Sequence, residues 1–529
     1  MSSIYGFFAG SHSVSSALIV DGKIHTVVEE ERMTRVKAGD NFLAYPDLSS
    51  VAIENYSNLP IQLSDYRIFV EPVVDSYARN LSKAPYEKCG HHNAHNYGAY
   101  FTSGFGGKVM SISYDGGGET SVLKVFLCED GKMYQVQQGK WASFASLAHV
   151  WGFFVSSMMG NNKLGHSKWS MCKDEGKIVG MAPEGRYDEK IYRMLKSVIS
   201  YKDLEFSPSS TMWKTRFLAD MMHDKGYFST QSKREIFSYN LQLLTENIFI
   251  EYLNDLHNLF PDYRKVCFSG GLFANVKLNQ KINELDWIDE IYIYPPMGDE
   301  GLALGAAIYK AVELGEIVKP FKMDNFYLGL DYSNYEVEET NRKYNFKKKP
   351  YNQTEIANKL NSGSIIGWFH GKFEHGPRAL GNRSILVKPT DKDTHSKLNK
   401  RLGRYDIMPF APVVMSEHFD EIFYPNKSLY TAQFMTLCFN TREEWIEKIP
   451  SVIQKTDKSA RPQVLKKESN PKYWELLNEY YTISGIPVLL NTSFNSHNEP
   501  IINSPVEAFE ALKSGIIDEL VIEDYVYFT

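Results

Sequence analysis

An α/β fold of two domains is predicted by three observations. Strand-like and helix-like runs alternate through most of the 529 residues, two successive strand–glycine–helix units stand at 264–315, and a second alternating stretch opens near residue 350. Composition agrees, since 43% hydrophobic and 23% charged residues are ordinary for a globular chain long enough to build well-buried cores. The net charge of −6 gives no global basic field, so a nucleic-acid partner is not indicated. Five cysteines (Cys89, Cys128, Cys172, Cys267, Cys438) are odd in number and lack Cys-x-x-Cys spacing, which predicts reduced, structural thiols. The residues Met1 to Gly6 have neither a basic nor an apolar leader pattern, and no run reaches membrane-spanning length. A cytoplasmic protein with no membrane partner is expected.

In chain order, strands are predicted at Ile4 to Ala9, Ala17 to Val20 and Lys23 to Glu29, the last two joined by Asp21-Gly22, a strong hairpin signal. Between the first two lies Gly10-Ser11-His12-Ser13, whose amides could face a phosphate. The polar run Glu29-Glu30-Glu31-Arg32, with Arg35 and Lys37, reads as a solvated charged face. A helix follows from Pro46 to Tyr56, alternation continues to about Gln138, and a mainly helical region fills most of 141–260, with Glu235 to Phe260 its longest periodic piece. At 264–315 the order is strand (Lys265 to Ser269), Gly270-Gly271, helix (Leu272 to about Asn283), strand (Glu290 to Tyr294), Gly298-Asp299, helix. Such turns favour anions at helix N-termini. With the opening hairpin, they suggest a duplicated actin-like ATPase architecture.

One stretch stands out for chemistry. In His91-His92-Asn93-Ala94-His95 a helix would put His91 and His95 on one face, one turn apart, which is metal-ligand spacing. Asp115 ends the strand-like run from Val109 beside Gly116-Gly117, and Asp299 follows the strand-like run from Ile291. These four residues are expected to form one site around a divalent metal. The alternative is a hydrogen-bonded histidine pair and an ordinary Asp-Gly turn.

Residues 316–350 read as a connector, low in Gly and Ser and therefore not a floppy tether. The second domain opens with a helical run at Thr354 to Leu360 and a strand at Ser364 to Phe369. Its densest stretch is Glu374 to Ser384, where Arg378 and Arg383, five apart in a segment broken by glycines and proline, could converge on a phosphate. Arg404, Arg461 and the strand end Leu489 to Asn495 would supply further donors. For each arginine, a solvated surface charge is the competing reading.

Glu374 to Ser384, Pro409-Phe410-Ala411-Pro412, Ala460-Arg461-Pro462-Gln463 and Asn491-Thr492-Ser493-Phe494-Asn495 resemble the C-terminal half of the NodU/CmcH family of O-carbamoyltransferases, which includes the tobramycin and cephamycin enzymes. In the other half His91 to His95, Asp115-Gly116-Gly117, Glu175 to Pro183, Gly270 to Asn275 and Gly298 to Gly301 match in the same order. The resemblance implies a TsaD-like actin-like ATPase (ASKHA) domain with a helical insertion at 1–345 and a YrdC-like α/β domain at 346–529. It implies ATP, with magnesium, and carbamoyl phosphate as substrates of the second domain, which would form carbamoyl adenylate. The first domain would then transfer the carbamoyl group to a hydroxyl-bearing acceptor. Because the adenylate is labile, both sites are expected to open on a shared, enclosed passage.

The resemblance also distributes roles. His91, His95, Asp115 and Asp299 match metal ligands, with iron the metal the family implies; the mixed imidazole and carboxylate set suits a transition metal. His12 matches the general base on the acceptor hydroxyl, although Ser13 stands where an aspartate is usual. Gly116, Gly117, Gly270, Gly271, Asn275 and Gly298 match nucleotide-binding positions, and Arg378, Arg383, Arg404, Arg461, Asn491 and Ser493 match carbamoyl-phosphate-binding positions. Departures are His375, where phenylalanine is common, and Leu402 to Met408, in which only Arg404 keeps register. Two other functions remain open: threonylcarbamoyl transfer in tRNA modification, and a non-catalytic nucleotide-binding module. Family precedent implies an antibiotic, a toxin, a sugar or a hydroxymethylated pyrimidine as acceptor, and no residue pattern selects among them.

Overall fold

The computed structural model describes residues 2–10, 12–37, 47–71, 85–118, 121–139, 146–159, 174–207, 212–403, 410–424, 427 and 429–529. The chain divides into two compact units, Met1–Glu31 with Ala38–Met323 and Arg32–Lys37 with Asp324–Thr529. This division differs from a boundary at 345–346 because the stretch read as a connector is structured and split. Phe321 donates its amide to Phe101 O in the first unit. Beyond it, Gly329 donates to Phe373 O, His375 donates to Phe326 O, and a helix at Asn334–Tyr344 begins with a capping box of Ser333 and Glu336. Ser333-x-x-Glu336 is the sequence signal for the start of this helix.

The first unit holds two five-stranded sheets. β1 (Ser3–Phe8), β2 (Ser15–Val20), β3 (Lys23–Glu29), β4 (Tyr66–Val70) and β5 (Glu87–Cys89) run in the order β3-β2-β1-β4-β5. β6 (Lys108–Tyr114), β7 (Leu123–Glu129) and β8 (Lys132–Gln138) are followed by a hairpin of β9 (Ser200–Lys202) and β10 (Glu205–Ser207). With β11 (Lys265–Ser269) and β12 (Glu290–Ile293) they give β12-β11-β6-β7-β8. Each sheet joins an antiparallel three-strand meander to two parallel strands, so one plan is used twice, the duplication that the glycine turns of both halves predict. At Asp21-Gly22 both φ values are positive, 48° and 70°, as a two-residue hairpin of this twist requires.

Between β8 and β11 lie helices at Leu147–Met158, Glu175–Met181, Glu189–Lys196, Met212–Asp224 and Gln231–Leu259. The hairpin β9–β10 inside this region is absent from the sequence reading, its strands being three residues each. The expected single helix from Leu272 to Asn283 is instead a short turn at Gly271–Ala274 and a helix at Val276–Asn283. Asn275 separates them, its Oδ1 accepting from Leu278 N at 3.1 Å as an N-cap.

The expectation of a solvated face at Glu29 to Lys37 is wrong. Glu29, Glu30 and Arg32 are buried at 3%, 7% and 1% exposure. Glu30 accepts the amides of Leu48 (3.1 Å) and Ser49 (2.7 Å), opening the helix Asp47–Ser57. In the second unit, Arg32 donates to Gly376 O at 2.9 Å, and Arg35 donates to Ile501 O and Pro500 O at 2.8 and 2.9 Å. A charge run carries no sign of its distant carbonyl partners, so composition alone could not distinguish this from solvation.

The second unit is built on an eight-stranded mixed sheet. Its strands are β13 (Lys347–Pro350), β14 (Ile366–Phe369), β15 (Arg383–Val387), β16 (Ala411–Met415), β19 (Gln463–Leu465), β20 (Val488–Ser493), β21 (Glu519–Ile522) and β22 (Tyr525–Phe528). A separate pair is β17 (Phe439–Asn440) with β18 (Ser459–Ala460). The order is β13-β22-β21-β14-β15-β20-β16-β19. Side chains alternate faces along a strand. Accordingly Ile385, Val387, Val414, Val488, Leu490, Leu520 and Ile522 enter one core, and Leu386, Val413, Met415, Leu489 and Val521 enter the other. The edge strand β13 carries three lysines and a proline, which disfavour pairing with a further strand. No helix of the described residues is long and apolar enough to cross a membrane.

Candidate functional site

In the first unit, the helix His91–Thr102 follows β5, so His91 and His95 fall at its first residue and one turn on. The helix Leu302–Glu313 packs against it so closely that a Cβ on Gly305 would overlap the Ala94 carbonyl oxygen. Glycine there lets Asp299, just before that helix, approach the histidines. Asp115 is the first residue past β6.

The donor atoms of His91, His95, Asp115 and Asp299 all lie within 4.8 Å of one another. His95 Nε2 is 3.1 Å from Asp115 Oδ2 and 3.6 Å from Asp299 Oδ1, and His91 Nε2 is 3.5 Å from Asp299 Oδ1 and 3.9 Å from Asp115 Oδ2. Ligand atoms each held at ~2.1 Å from one transition metal stand roughly 3.0–3.4 Å apart, so small adjustments would let this set hold such an ion. Asp299 Oδ1 is buried and makes no hydrogen bond among the described residues, as expected of a ligand oxygen awaiting a cation.

Electrostatics follow from packing. Burial opposes a charge on His95, but the Asp115 and Asp299 carboxylates outweigh it and raise its pKa to about 9. Burial likewise opposes ionisation of Asp115, and the imidazoles of His91 and His95 outweigh it, holding the carboxyl well below its usual range. His92 points elsewhere, with Nδ1 2.9 Å from Ser113 Oγ and Nε2 2.9 Å from Ser121 O. Burial, then the neighbouring imidazoles, push its pKa well down, so it is a neutral structural histidine.

His12 joins this cluster, its Nδ1 3.6 Å from Asp299 Oδ2 and 3.3 Å from Ser13 Oγ. Asp115 organises the glycines: Oδ1 accepts from Gly116 N at 2.5 Å and Oδ2 from Gly271 N at 3.1 Å. Gly270 adopts φ 104°, and a Cβ on it would overlap the Tyr114 carbonyl oxygen. Gly117 lies in the same turn as Gly116, and Gly298 donates to Glu300 Oε1 at 3.0 Å. Asn275 is engaged elsewhere, donating to Gln242 Oε1 at 2.8 Å besides its capping bond. Sequence reasoning missed Ser269, whose Oγ is 2.9 Å from His95 Nδ1, and Ser146, which donates to Asp115 O at 2.5 Å and caps the helix Leu147–Met158. Ser269 immediately precedes Gly270-Gly271, which was the available signal. Glu175 and Glu300 were also overlooked as titrating groups. Burial raises both to about 7, helped by Asp174 and by Glu29 respectively.

In the second unit, the loop from Glu374 to Arg383 is tied by one carboxylate. Glu374 is fully buried and its Oε1 accepts from Leu380 N, Asn382 N and Arg383 N at 2.7, 2.7 and 3.1 Å. Arg383 is buried too, stacked over Phe369 at 3.5 Å, with Nη1 donating to His370 O, Gly371 O and Asn382 O and Nε to Asn503 O. Most of its fork therefore serves the fold, leaving Nη2 without a hydrogen-bond partner among the described residues. Arg461 makes no hydrogen bond or ion pair among the described residues, and burial lowers its pKa. Arg378 is half-buried in the loop, and Asn491 and Ser493 alternate with Thr492 at the end of β20, pairing with Leu386 and Ser384 of β15. Arg404 lies outside the described residues. Cys89, Cys128, Cys267 and Cys438 are buried and in no disulfide among the described residues, and Cys172 lies outside the described residues.

Both units thus carry buried polar atoms without a hydrogen-bond partner among the described residues, close in the chain to glycine-bearing loops. Family models match both halves of the chain: the carbamoyltransferase N-terminus matches residues 45–308 and the carbamoyltransferase C-terminus matches residues 357–528. The chain belongs to the carbamoyltransferase family and is a carbamoyltransferase. An uncharacterized protein of Methanocaldococcus jannaschii is 30% identical over 97% of this chain and 98% of its own. Nodulation protein NolNO of Sinorhizobium fredii is 27% identical over 97% of this chain and 78% of its own. Among solved structures, full-length HypF in the phosphate- and nucleotide-bound form covers 59% of this chain and 56% of its own at 16% identity, with a TM-score of 0.34.

Proposed function

We propose that this carbamoyltransferase takes the carbamoyl group of carbamoyl phosphate, activates it with ATP as carbamoyl adenylate in a YrdC-like second unit, and delivers it to an acceptor hydroxyl in a TsaD-like first unit. The observation that carries this reading is the convergence of His91, His95, Asp115 and Asp299 with His12 beside them. A carbamate is a poor electrophile, so activation as a mixed anhydride with AMP is chemically sensible. In the second unit, Arg461, Arg378 and the remaining Arg383 donor hold phosphate oxygens, with Arg404, Asn491 and Ser493 completing the site.

In the first unit His91, His95, Asp115 and Asp299 would hold a transition metal, iron in this reading. A bound metal would supply positive charge to offset the negative charge growing on the departing AMP phosphate. The residues themselves do the rest. Gly270, Gly271, Gly116, Gly117 and Gly298 let the main chain approach the adenylate, and Asn275 fixes the helix behind it, whereas ATP with magnesium is used in the second unit. His12, held by Asp299 and Ser13, removes the acceptor proton as oxygen attacks the carbamoyl carbon. The oxygen–carbon bond forms, the carbon–phosphate-oxygen bond breaks, and AMP leaves with the electron pair.

Half-reactions test this. Arg461→Ala should abolish carbamoyl-phosphate-dependent pyrophosphate release, whereas His12→Asn should keep it and fail to carbamoylate alcohols, read as the mass gain of one carbamoyl group. Normal pyrophosphate release by Arg461→Ala would overturn the division of labour.

A further inference from the structure

Among Gly116, Gly118, Gly270, Gly271 and Gly298, packing demands glycine everywhere but at Gly116. A Cβ on Gly118 would stand 2.9 Å from His92 Cδ2, one on Gly298 2.5 Å from Glu300 Oε2, and one on Gly271 3.2 Å from Asp115 Oδ1. Gly270 has a left-handed φ and would overlap the Tyr114 carbonyl oxygen. At Gly116 φ is not positive, and the atom nearest such a Cβ is His149 Nε2 at 3.5 Å, an ordinary contact. Glycine costs chain entropy on folding, and one that packing does not require marks room for a ligand at the main chain.

His149 is aimed at that room. Ser146 donates to Asp115 O and caps the helix Leu147–Met158, so this helix starts against the turn that carries Gly116, with His149 its third residue. Of the imidazole atoms Nε2 comes nearest the Gly116 Cβ position, ahead of Cδ2 at 3.8 Å and Cε1 at 3.9 Å. Phe153, one turn on, stacks against the ring with centroids 6.2 Å apart and planes 20° apart, which holds its tilt. His149 is half-buried and is not one of the four clustered metal-ligand donors. A ligand atom resting on Gly116 therefore lies within hydrogen-bond reach of an imidazole nitrogen, one residue along from Asp115. A neutral imidazole donates from one nitrogen, and an anionic phosphate oxygen is the strongest common acceptor for it. We propose that His149 is a further catalytic residue of the first unit: its Nε2–H donates to a phosphate oxygen of carbamoyl adenylate lying against Gly116. It thereby shares the negative charge that passes to AMP as the carbon–phosphate-oxygen bond breaks, and gives up no proton. This inference rests on the preceding assignment of the adenylate to the first unit.

The test titrates AMP and adenosine, which differ by the phosphate, into full-length protein by calorimetry. Loss of a charge-assisted bond should weaken one class of AMP site roughly 10- to 100-fold in His149→Leu, while adenosine binds as in the wild type. A second class of AMP site, in the unit that uses ATP, should be unaffected. His149→Gln keeps an N–H donor and should recover most of the loss. Gly116→Ala decides the matter should His149→Leu fail to fold. Its methyl group meets nothing closer than 3.5 Å, so thermal unfolding should not change, yet it fills the place of the phosphate and should weaken AMP without weakening adenosine. Unchanged AMP affinity in either variant, or a parallel loss of AMP and adenosine, would overturn the proposal. A wild-type protein that binds neither nucleotide would instead fail the reading on which the proposal rests.

Discussion

His95 bridges Ser269 and Asp115: its Nδ1 is 2.9 Å from Ser269 Oγ and its Nε2 is 3.1 Å from Asp115 Oδ2. Ser269 Oγ in turn donates to Met297 O at 3.4 Å, so it accepts from Nδ1–H and the Nε2 lone pair of the neutral ring faces the cluster. That is the tautomer a metal ligand needs. Elemental analysis is expected to find a transition metal in wild-type protein and none in His95→Ala, which should still fold. Ser269→Ala keeps every ligand and should weaken metal affinity roughly 10- to 100-fold.

The same geometry sets a pH dependence. Without a cation His95 titrates at about 9, so a metal must displace its proton at neutral pH. Affinity should rise by about tenfold per pH unit toward pH 9 and flatten above it. Competition titrations between pH 7 and 9 check the slope, and a flat profile would remove His95 from the ligand set.

Packing predicts a second-hand loss. Gly305→Ala places a methyl group against the Ala94 carbonyl and must push the helix His91–Thr102 away from Asp299. Overpacking of this kind costs roughly 1–3 kcal/mol. Urea unfolding should show that loss, and metal content should fall although no ligand has been touched.

Much of this centre was legible because its chemistry is local. His91 and His95 are one helical turn apart, and Asp115 and Asp299 each follow a strand, so spacing suggested the group, and the family resemblance favoured it over a hydrogen-bonded histidine pair. The hairpin at Asp21-Gly22 was legible from local sequence too. What escaped depends on partners distant in sequence. Arg32 and Arg35 look solvated until their carbonyl partners at 376, 500 and 501 are seen. Arg383 offers a whole fork on paper, and four main-chain carbonyls, none of them signalled by the sequence, occupy all of it but Nη2. The Asn491 amide is held by the Ala379 carbonyl, more than a hundred positions away.

Glu175 gives a stability signature apart from the metal. Burial raises its carboxyl from 4.5 to about 7, so between those values the folded state holds a proton that the unfolded chain has released. Its contribution is therefore greatest below about pH 4.5 and is lost as pH rises to about 7. Glu175→Gln cannot ionise and should be more stable than wild type at pH 8, with the difference shrinking toward pH 4.5. Parallel Tm–pH curves for the two proteins would show that Glu175 does not titrate near 7 in the folded protein.

Glu374 should separate the shape of the second site from its charge. One carboxylate oxygen accepts three amides, from Leu380, Asn382 and Arg383, and so sets the curve of the loop that carries Arg378. Glu374→Ala strands those three donors inside a buried loop, where each unsatisfied group costs about 1–3 kcal/mol before relaxation. A net loss of roughly 2–4 kcal/mol is expected, given that such terms are not additive. Glu374→Gln keeps a carbonyl oxygen in place and should lose less stability while retaining the loop. If the loop positions Arg378 for phosphate, KM for carbamoyl phosphate should rise in Glu374→Ala and much less in Glu374→Gln, with KM for ATP moving little. Equal effects of both substitutions would mean that the negative charge of Glu374, and not its grip on three amides, is what the site uses.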